Sequence, residues 1–260
     1  MKDIIVIKIG GSTFGSGDTT VEDVVALQKQ GRRLVIVHGG GSLVTEWLKR
    51  QGVATRFVRG ERVTDAPTLE VAAAVLAGLA NKQLVAAISS RGGRAVGISG
   101  IDGGLIQSRV KDPEMGYVGA VVKVDPAPLE TLLSAGFIPV VAPLALYAVD
   151  RPDDAPLIVN MNGDPVAGEL AAALGAVRLV FLTDVAGIKG KSGEVVSRLS
   201  ASEAEALVAS GVASGGMIPK LSACLRALSA GTITRIIDGR VPHALVKELE
   251  GQPGGTTICR

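Results

Sequence analysis

The sequence IIVIKIGGS at residues 4–12 is followed, one helix-like segment later, by a second pattern of the same kind, LVIVHGGGS at residues 34–42. Each begins with branched apolar residues, which are typical of a buried strand, and ends in a glycine-rich turn before a helix-like segment. Glycines let the main chain approach a ligand closely, and the first N–H groups of a helix present partial positive charge to an anion. The two turns therefore predict phosphate chemistry.

Apolar strands alternate with amphipathic helices over most of the chain. The strand runs are continuous rather than alternating, as expected for a parallel sheet that helices cover on both faces. We therefore predict an α/β fold, a three-layer αβα sandwich around a central, mainly parallel twisted sheet. The predicted strands are Ile4–Ile9, Leu34–Val37, Ala95–Ile98, Ile138–Ala142, Arg178–Thr183 and Ile233–Asp238.

The predicted helices each end just before a glycine, which readily adopts the left-handed conformation that ends many helices. Two other segments, Leu105–Val124 and Gly187–Arg198, have β-hairpin character. The segment Leu146–Asn160 is rich in proline and aspartate and is predicted as a loop. We place a loose division of the chain near Gly175. The predicted helices are Val21–Gln30, Leu43–Gln51, Thr68–Arg91, Pro126–Ala135, Pro165–Leu174, Ala201–Ser210, Met217–Ala230 and His243–Glu250.

The composition favours a protein that acts on small molecules. A net charge of +2 and an aromatic content of 3% over 260 residues argue against a nucleic-acid partner. Apolar stretches shorter than about 18 residues argue against a membrane span. Two cysteines, Cys224 and Cys259, fit a reducing cytoplasm, and the two histidines, His38 and His243, form no zinc-like cluster with them. We expect a cytoplasmic protein with no metal held by its own side chains.

Three cations are candidates for binding an anion. Lys8 ends the first predicted strand, at the edge where open parallel sheets bind ligands. Lys220 lies in the first turn of a predicted helix, where the helix dipole disfavours a cation unless an anionic ligand is present. Arg62 precedes the longest predicted helix and suits bidentate binding of a carboxylate. Each of the three also has an ordinary interpretation as a solvated surface residue.

Polar residues alternate at Asn160, Asn162 and Asp164, on an extended stretch before a helix. Asp164 is predicted as the N-cap, with Pro165 at the first helical position. Capping does not explain the two asparagines, whose amides could face a common ligand. His38 lies beside a glycine turn, and we predict that it fixes the geometry of that turn by hydrogen bonding.

Eight short motifs in this order resemble those of the amino acid kinase family. The similarity runs nearly from end to end of the chain, and it is more specific than either glycine turn alone. The motifs are KIGG at residues 8–11, VHGGG at 37–41, GERVT at 60–64, NK at 81–82, GYVG at 116–119, NMNGD at 160–164, LTDVAG at 182–187 and GMIPK at 216–220.

The resemblance implies transfer of a phosphoryl group from ATP to the γ-carboxylate of N-acetyl-L-glutamate, a step of arginine biosynthesis. It implies that Lys8 and Lys220 neutralise the migrating phosphoryl group and that Asp164 holds both ammonium groups in place. The backbone N–H groups of Gly11 and Gly40 would add to this charge stabilisation. A carboxylate with a pKa of about 4.3 is already ionised at neutral pH, so the reaction needs no general base.

The resemblance also implies how the ligands bind. Arg62 and Asn160 would bind the acylated amino acid, with Gly40 and Gly41 also lining its site. Mg²⁺ would be held mainly by the ATP phosphates. The residues implied to border ATP are Asp184, Val185, Ala186, Gly187, Ile188, Lys189, Val212, Ala213 and Ser214.

Two lobes and a homodimer follow from the same resemblance. Residues 1–175 would form an N-terminal lobe that binds the acyl substrate and dimerises, and residues 176–260 a C-terminal lobe that binds ATP. Because the first strand begins at once, we expect a dimer that arginine does not inhibit, rather than a hexamer.

Other functions stay open at this point. Ile101 stands where many kinases of this branch have lysine, which is similar to the related kinase that acts on glutamate or aminoadipate linked to a carrier protein in lysine biosynthesis. An NAD(P)-dependent oxidoreductase is a weaker alternative, because residues 39–44 partly match a dinucleotide fingerprint but have Val44 in place of the third glycine. A ligand sensor without turnover is the non-enzyme alternative.

Overall fold

The structure, a computed structural model, describes residues 3–10, 19–58, 60–190, 193–213, 215–252 and 254–259. Strands and helices alternate along most of this length. The strands are β1 Ile4–Ile9, β2 Arg33–His38, β3 Phe57–Val58, β4 Glu61–Arg62, β5 Ala95–Gly100, β6 Ile106–Val110, β7 Gly119–Val124, β8 Ile138–Tyr147, β9 Ile158–Asn160, β10 Arg178–Thr183, β11 Arg198–Ser200, β12 Ile233–Asp238 and β13 Thr256–Cys259. The α-helices are α1 Thr20–Lys29, α2 Gly41–Arg50, α3 Ala66–Ala73, α4 Asn81–Ser90, α5 Ala127–Ser134, α6 Gly163–Ala173, α7 Ala201–Ala209, α8 Met217–Ser229 and α9 Ala244–Leu249.

One sheet of 11 strands runs through the whole fold. Its order is β11-β13-β12-β10-β1-β2-β8-β6-β7, with β5 and β9 also paired to β8. The central strands from β12 to β8 are parallel, and antiparallel pairs join β6 to β7, β8 to β9 and β12 to β13. The prediction of a mainly parallel sheet is confirmed.

Strand β1 is buried on both faces. Ile4 and Val6 pack in a core cluster with Val166 and Leu170 of α6, whereas the alternate residues Ile5 and Ile7 belong to the cluster on the opposite face. That second cluster contains residues of α1, α4 and α9. Because side chains alternate across a strand, one continuous apolar run supplies both cores. The three-layer sandwich predicted from the sequence is confirmed.

Most predicted elements are confirmed, and three are corrected. Strand β8 continues to Tyr147, and β9 pairs with it inside the segment Leu146–Asn160, so the prediction of a loop over this whole segment is wrong at both ends. The hairpin at Leu105–Val124 is confirmed as β6 and β7. The second predicted hairpin is reduced to an antiparallel bridge between Lys189 and Val195, and residues 191–192 at its tip lie outside the described part.

The predicted helix Thr68–Arg91 is not uniform. A π-helical segment, Ala74–Ala80, separates α3 from α4. Within the described residues, Ala66–Ser90 is the one helical stretch long and apolar enough to cross a membrane by length and composition alone, a test that core helices also pass. Its side chains Val71, Val75 and Leu76 pack with residues of α2 and β8, so it forms part of the helical layer.

Candidate active site

Two lysines from distant parts of the chain meet at one carboxylate. Lys8 is the second-to-last residue of β1, Asp164 lies in the first turn of α6 and Lys220 lies in the first turn of α8. Lys8 Nζ is 2.6 Å from Asp164 Oδ1, and Lys220 Nζ is 2.9 Å from Asp164 Oδ2. The three side chains are only 12%, 8% and 12% exposed. The sequence-based hypothesis placed these residues together, and the structure brings them into contact.

The local start of α6 leaves the Asp164 carboxylate free for this contact. Asn162 is the N-cap, and its Oδ1 accepts a hydrogen bond from the Asp164 N–H at 3.0 Å. The prediction that Asp164 caps the helix is therefore wrong, because the helix begins earlier, with Gly163 as its first residue. A carboxylate in this first turn is also favoured by the helix dipole.

The cluster combines two ammonium groups with a single carboxylate, so one positive charge has no counterpart within it. Burial alone would raise the pKa of the Asp164 carboxyl, but the two ammonium groups together hold that pKa below its ordinary value. The pKa of Lys8 is lowered, first by burial and then by the nearby Lys220, although Asp164 opposes this. An anion bound between the lysines would relieve this strain on the charged form of Lys8. The cluster is thus suited to an anionic ligand.

A cavity of about 260 Å³ opens beside Lys8. Its polar wall contains the glycine turn at Gly39–Gly41, Arg62 and Asn160. A pocket in which polar groups converge beside apolar side chains is typical of a small-molecule site. The apolar wall is formed by Val44, Ala72, Leu76, Val118, Pro143 and Met161.

Arg62 is held in this wall with part of its guanidinium unused. Its Nη2 donates to Gly41 O at 2.8 Å and to Thr45 Oγ1 at 2.7 Å, and its Cζ lies 4.7 Å from the centre of the Phe57 ring. Its Nη1 is buried and has no hydrogen-bond partner among the residues that the structure describes. A buried donor left unpaired is costly, so this atom is suited to a ligand's carboxylate.

Gly40 and Gly41 form the start of α2. Gly41 is its first residue, and Gly40 precedes it with φ of 153°, where a Cβ would lie 2.8 Å from the Leu76 side chain. This position therefore requires glycine. The helix begins at the cavity wall, and helix starts favour anions.

The two asparagines line the same cavity, and each amide also makes a hydrogen bond within the chain. Asn160 Nδ2 donates to Thr64 Oγ1 at 3.1 Å, and Asn162 Nδ2 donates to Glu61 Oε1 at 3.0 Å. Both amides thus contact the segment that carries Arg62. The Asn162 side chain in addition caps α6.

The residues predicted to border ATP lie on the loops after β10 and before α8. Asp184, Val185, Ala186, Lys189 and Val212 are exposed, whereas Gly187, Ile188 and Ala213 are buried. None of these eight residues lines the 260 Å³ cavity. Asp184 lies near enough to Lys8 to raise its pKa, which places this loop at the same end of the sheet. Gly11 and Ser214, also predicted for the site, lie outside the described residues.

The sequence analysis left out two contributors. Thr45 holds Arg62, and Phe57 covers its guanidinium. Thr45 lies four residues after Gly41 on α2, so a helix drawn from Gly41 would have placed its hydroxyl near the turn. Phe57 gave no signal of its own, because β3 and β4 are strands of two residues each.

The chain is similar to known proteins over nearly its whole length. A sequence model of the amino acid kinase family matches residues 3–238. A protein named acetylglutamate kinase from Dehalococcoides mccartyi is 50% identical over 255 residues, covering 98% of this chain and 94% of that protein. One of the same name from Cereibacter sphaeroides is 46% identical over 261 residues, covering 99% and 87%.

Among solved structures, the crystal structure of smu.665 from Streptococcus mutans UA159 superimposes with a TM-score of 0.84 at 28% identity, covering 100% of this chain and 99% of that one. Fold, site geometry and sequence therefore lead to the same result. The chain belongs to the amino acid kinase family.

Proposed function

We propose that this chain is a kinase that transfers the γ-phosphoryl group of ATP to the γ-carboxylate of N-acetyl-L-glutamate, in arginine biosynthesis. The observation that carries the proposal is the Lys8–Asp164–Lys220 cluster beside a cavity that is lined by Arg62, whose buried Nη1 has no hydrogen-bond partner among the described residues. The 42–50% identity to proteins named acetylglutamate kinase supports the substrate.

The cavity orients the acyl substrate in this proposal. Arg62 and Asn160 bind the α-carboxylate end, and the apolar wall excludes water. The γ-carboxylate then lies towards Lys8 and the glycine turn at Gly40 and Gly41. Because that carboxylate is ionised at neutral pH, positioning suffices and no side chain has to remove a proton.

Lys8 and Lys220 stabilise the charge that develops on the transferring phosphoryl oxygens. Asp164 keeps the two ammonium groups, which repel each other, at fixed positions before the substrates arrive. Such preorganised charge is the main source of rate enhancement in phosphoryl transfer. The backbone N–H groups of Gly40 and Gly11 add donors.

In this proposal, ATP binds on the side formed by residues 184–189 and 212–214. Residues 176–260 form the lobe that binds ATP, and residues 1–175 form the lobe that binds the acyl substrate. Among the described residues, no three His, Cys, Asp or Glu side chains cluster to hold a metal ion. The donor set therefore fits Mg²⁺ that arrives on the ATP phosphates, where it would neutralise phosphate charge. No step assigned to this chain's residues depends on it.

The test is substrate-dependent ATP consumption, with the acyl phosphate trapped by hydroxylamine. N-acetyl-L-glutamate is expected to support turnover, and free glutamate to support far less. Turnover only with glutamate or aminoadipate linked to a carrier protein would replace the proposed substrate with the alternative. Tight ligand binding without turnover would favour a sensor. Ile101, which suggested the carrier-linked substrate, does not line the cavity.

We also propose that the chain forms a homodimer through its N-terminal lobe. Only 39% of the most apolar 18-residue part of Ala66–Ser90 is buried within one chain, so a second copy of the chain could cover the rest. Ala74 and Gly78 are exposed on this stretch. Light scattering should give the mass of two chains, and Ala74→Glu should give one. A wild-type monomer at micromolar concentration would contradict the proposal. Insensitivity to arginine and a cytoplasmic location stay predictions.

A further inference from the structure

Asn81 is a fully buried polar side chain behind the glycine turn. Its Nδ2 lies 2.8 Å from Val140 O, 3.2 Å from His38 Nε2 and 3.3 Å from Ile98 O. Lys82 Nζ donates to its Oδ1 at 3.1 Å, which identifies the opposite end of the amide as the donor. The Asn81 amide is thus fixed from both ends.

The π-helical segment explains why Asn81 faces inward. Leu76 is buried, the next buried residue is Asn81, and burial then continues at Leu84 and Ile88. A spacing of five residues brings two side chains to the same face only where hydrogen bonds run from i to i+5. Leu76 itself contacts Gly40. The same face of the helix therefore contacts the glycine turn through Leu76 and reaches His38 through Asn81.

His38 continues the chain of donors into the turn. Its ring is 1% exposed, and Nδ1 lies 2.6 Å from Gly39 O. A carbonyl oxygen can only accept, so Nδ1 carries the proton and Nε2 accepts from the Asn81 amide. Burial, with smaller contributions from Lys8 and Lys82, lowers the pKa of His38 and keeps the ring neutral. All the hydrogen bonds run in one direction, from Lys82 through Asn81 and His38 to Gly39.

The Gly39 carbonyl and the Gly40 N–H belong to one planar peptide group. Fixing the carbonyl on one side therefore fixes the N–H on the other. The Gly40 N–H makes no backbone hydrogen bond within the described part of the chain. Three successive glycines would otherwise allow this peptide to rotate freely. The turn needs an external restraint, and His38 supplies one.

We propose that Asn81 and His38 are positioning residues for phosphoryl transfer: they hold the Gly39–Gly40 peptide so that the Gly40 N–H is aimed at the reacting oxygens before the substrates bind. This inference rests on the proposed function. A preorganised donor of this kind accelerates a reaction about 10²–10³-fold. Asn81 and His38 act through the peptide and do not touch the substrate.

Kinetics of four variants test the proposal. Asn81→Ala should lower kcat about 100-fold with little change in the KM for ATP. His38→Asn, whose amide N–H replaces Nδ1–H, should retain most activity, whereas His38→Gln, whose amide replaces Nε2, should not. The control is Thr234→Val, which also removes a hydrogen bond of a fully buried side chain, in the C-terminal part. It should lower stability and leave kcat unchanged.

A kcat within threefold of wild type in folded Asn81→Ala would overturn the proposal, as would equal activities of His38→Asn and His38→Gln. Combining His38→Gln with Asn81→Ala should lower kcat no further than the worse single variant, because both break one chain of contacts. Additive losses would contradict it.

Nitrogen-15 NMR of the wild-type protein gives a readout that needs no turnover. The His38 ring should show a protonated Nδ1 and an unprotonated Nε2 at neutral pH, and Asn81→Ala should produce a mixture of tautomers. A protonated Nε2 in the wild type would overturn the inference even if Asn81→Ala does not fold. Absence of kinase activity would instead contradict the proposed function. The tautomer measurement would still test the hydrogen bonds from Asn81 through His38 to Gly39.

Discussion

The two sides of the proposed site differ in how much of each is built before a ligand arrives. On the acyl side, Arg62 is held by Thr45 and Gly41, and the glycine turn is held by His38 and Asn81. On the nucleotide side, five of the eight described residues are exposed and none lines the cavity. The difference teaches that the side chains of the proposed acyl side are fixed by contacts within the chain, whereas those of the proposed nucleotide side are mostly exposed.

The cluster of Lys8, Asp164 and Lys220 lies between these two sides in the proposed site, and its Lys8 also lines the cavity of the acyl side. Its contacts join β1, α6 and α8 across the sheet end. A change in this cluster should therefore affect the chemical step, and a change on one side should affect the binding of one substrate. The predictions below test this separation.

The largest effect is expected for the lysines. Lys220→Ala should lower kcat about 1,000-fold with a much smaller rise in the KM for the acyl substrate, because its charge acts mainly on the transition state. Lys8→Ala should behave in the same way. Steady-state kinetics with both substrates checks this. A rise in KM without a fall in kcat would assign Lys220 to substrate binding instead.

Arg62→Ala should raise the KM for the acyl substrate about 100-fold and leave the KM for ATP unchanged, since a charged hydrogen bond contributes about 1.5–3 kcal/mol. Arg62→Lys should keep only part of this binding, because lysine lacks the planar fork. The control is Arg56→Ala, an exposed arginine nearby that contacts Glu114 O. Equal rises in the KM for the acyl substrate and the KM for ATP would show that Arg62 is not specific to acyl binding.

A smaller effect is expected on the nucleotide side. Asp184→Ala should raise the KM for ATP about threefold, because an exposed group contributes little by itself. The KM for the acyl substrate should not change. Asp153→Ala, an exposed aspartate in the loop before β9, is the control. A loss in ATP binding as large as that of acyl binding in Arg62→Ala would contradict the contrast between the sides.

The glycine turn should respond to pH through His38. Burial lowers the folded-state pKa of His38 below its ordinary 6.5, so below pH 6.5 the unfolded chain binds more protons than the folded one. The free energy of unfolding should therefore fall as the pH drops from 6.5 towards the folded pKa, by at most about 1.4 kcal/mol per pH unit for one proton.

Urea unfolding between pH 7.5 and 5 checks this, with His38→Asn as the comparison because it has no titratable ring. The wild type should lose more stability than the variant below pH 6.5 and no more above it. Parallel curves would show that folding does not shift the pKa of His38. Burial is the main reason for the lowered pKa of His38; the charges of Lys8 and Lys82 lower it further, the hydrogen bond to Gly39 opposes this, and Asn81 contacts Nε2.

The sequence predicted the bounds of strands best where a strand is buried on both faces. Strands β1, β10 and β12 match their predicted bounds, because a strand covered on both faces has a continuous apolar run. Strands β3, β4 and β9, of two or three residues each, were not predicted because such lengths carry no period. The start of α6 was missed because Asn162 and Asp164 are equally good caps by residue type.

The contacts of the site also differ in how far sequence patterns could predict them. The contact between Lys220 and Asp164 spans 56 residues, a separation that no local pattern reports, so it was expected only from the resemblance. The tie between Arg62 and Thr45, 17 residues apart, depends on how the Phe57–Arg62 segment folds over α2. The buried position of Asn81 depends on the π-helical segment, whose Ala and Leu residues suit an ordinary α-helix equally well.

The most direct test of the central claim is the single-turnover rate of phosphoryl transfer in Asp164→Asn, with ATP and N-acetyl-L-glutamate both saturating. Asparagine keeps the shape but removes the charge that holds Lys8 and Lys220 together. The account predicts a rate lower by about 100-fold or more, with both dissociation constants within a few-fold of wild type. A single-turnover rate within threefold of wild type would contradict it.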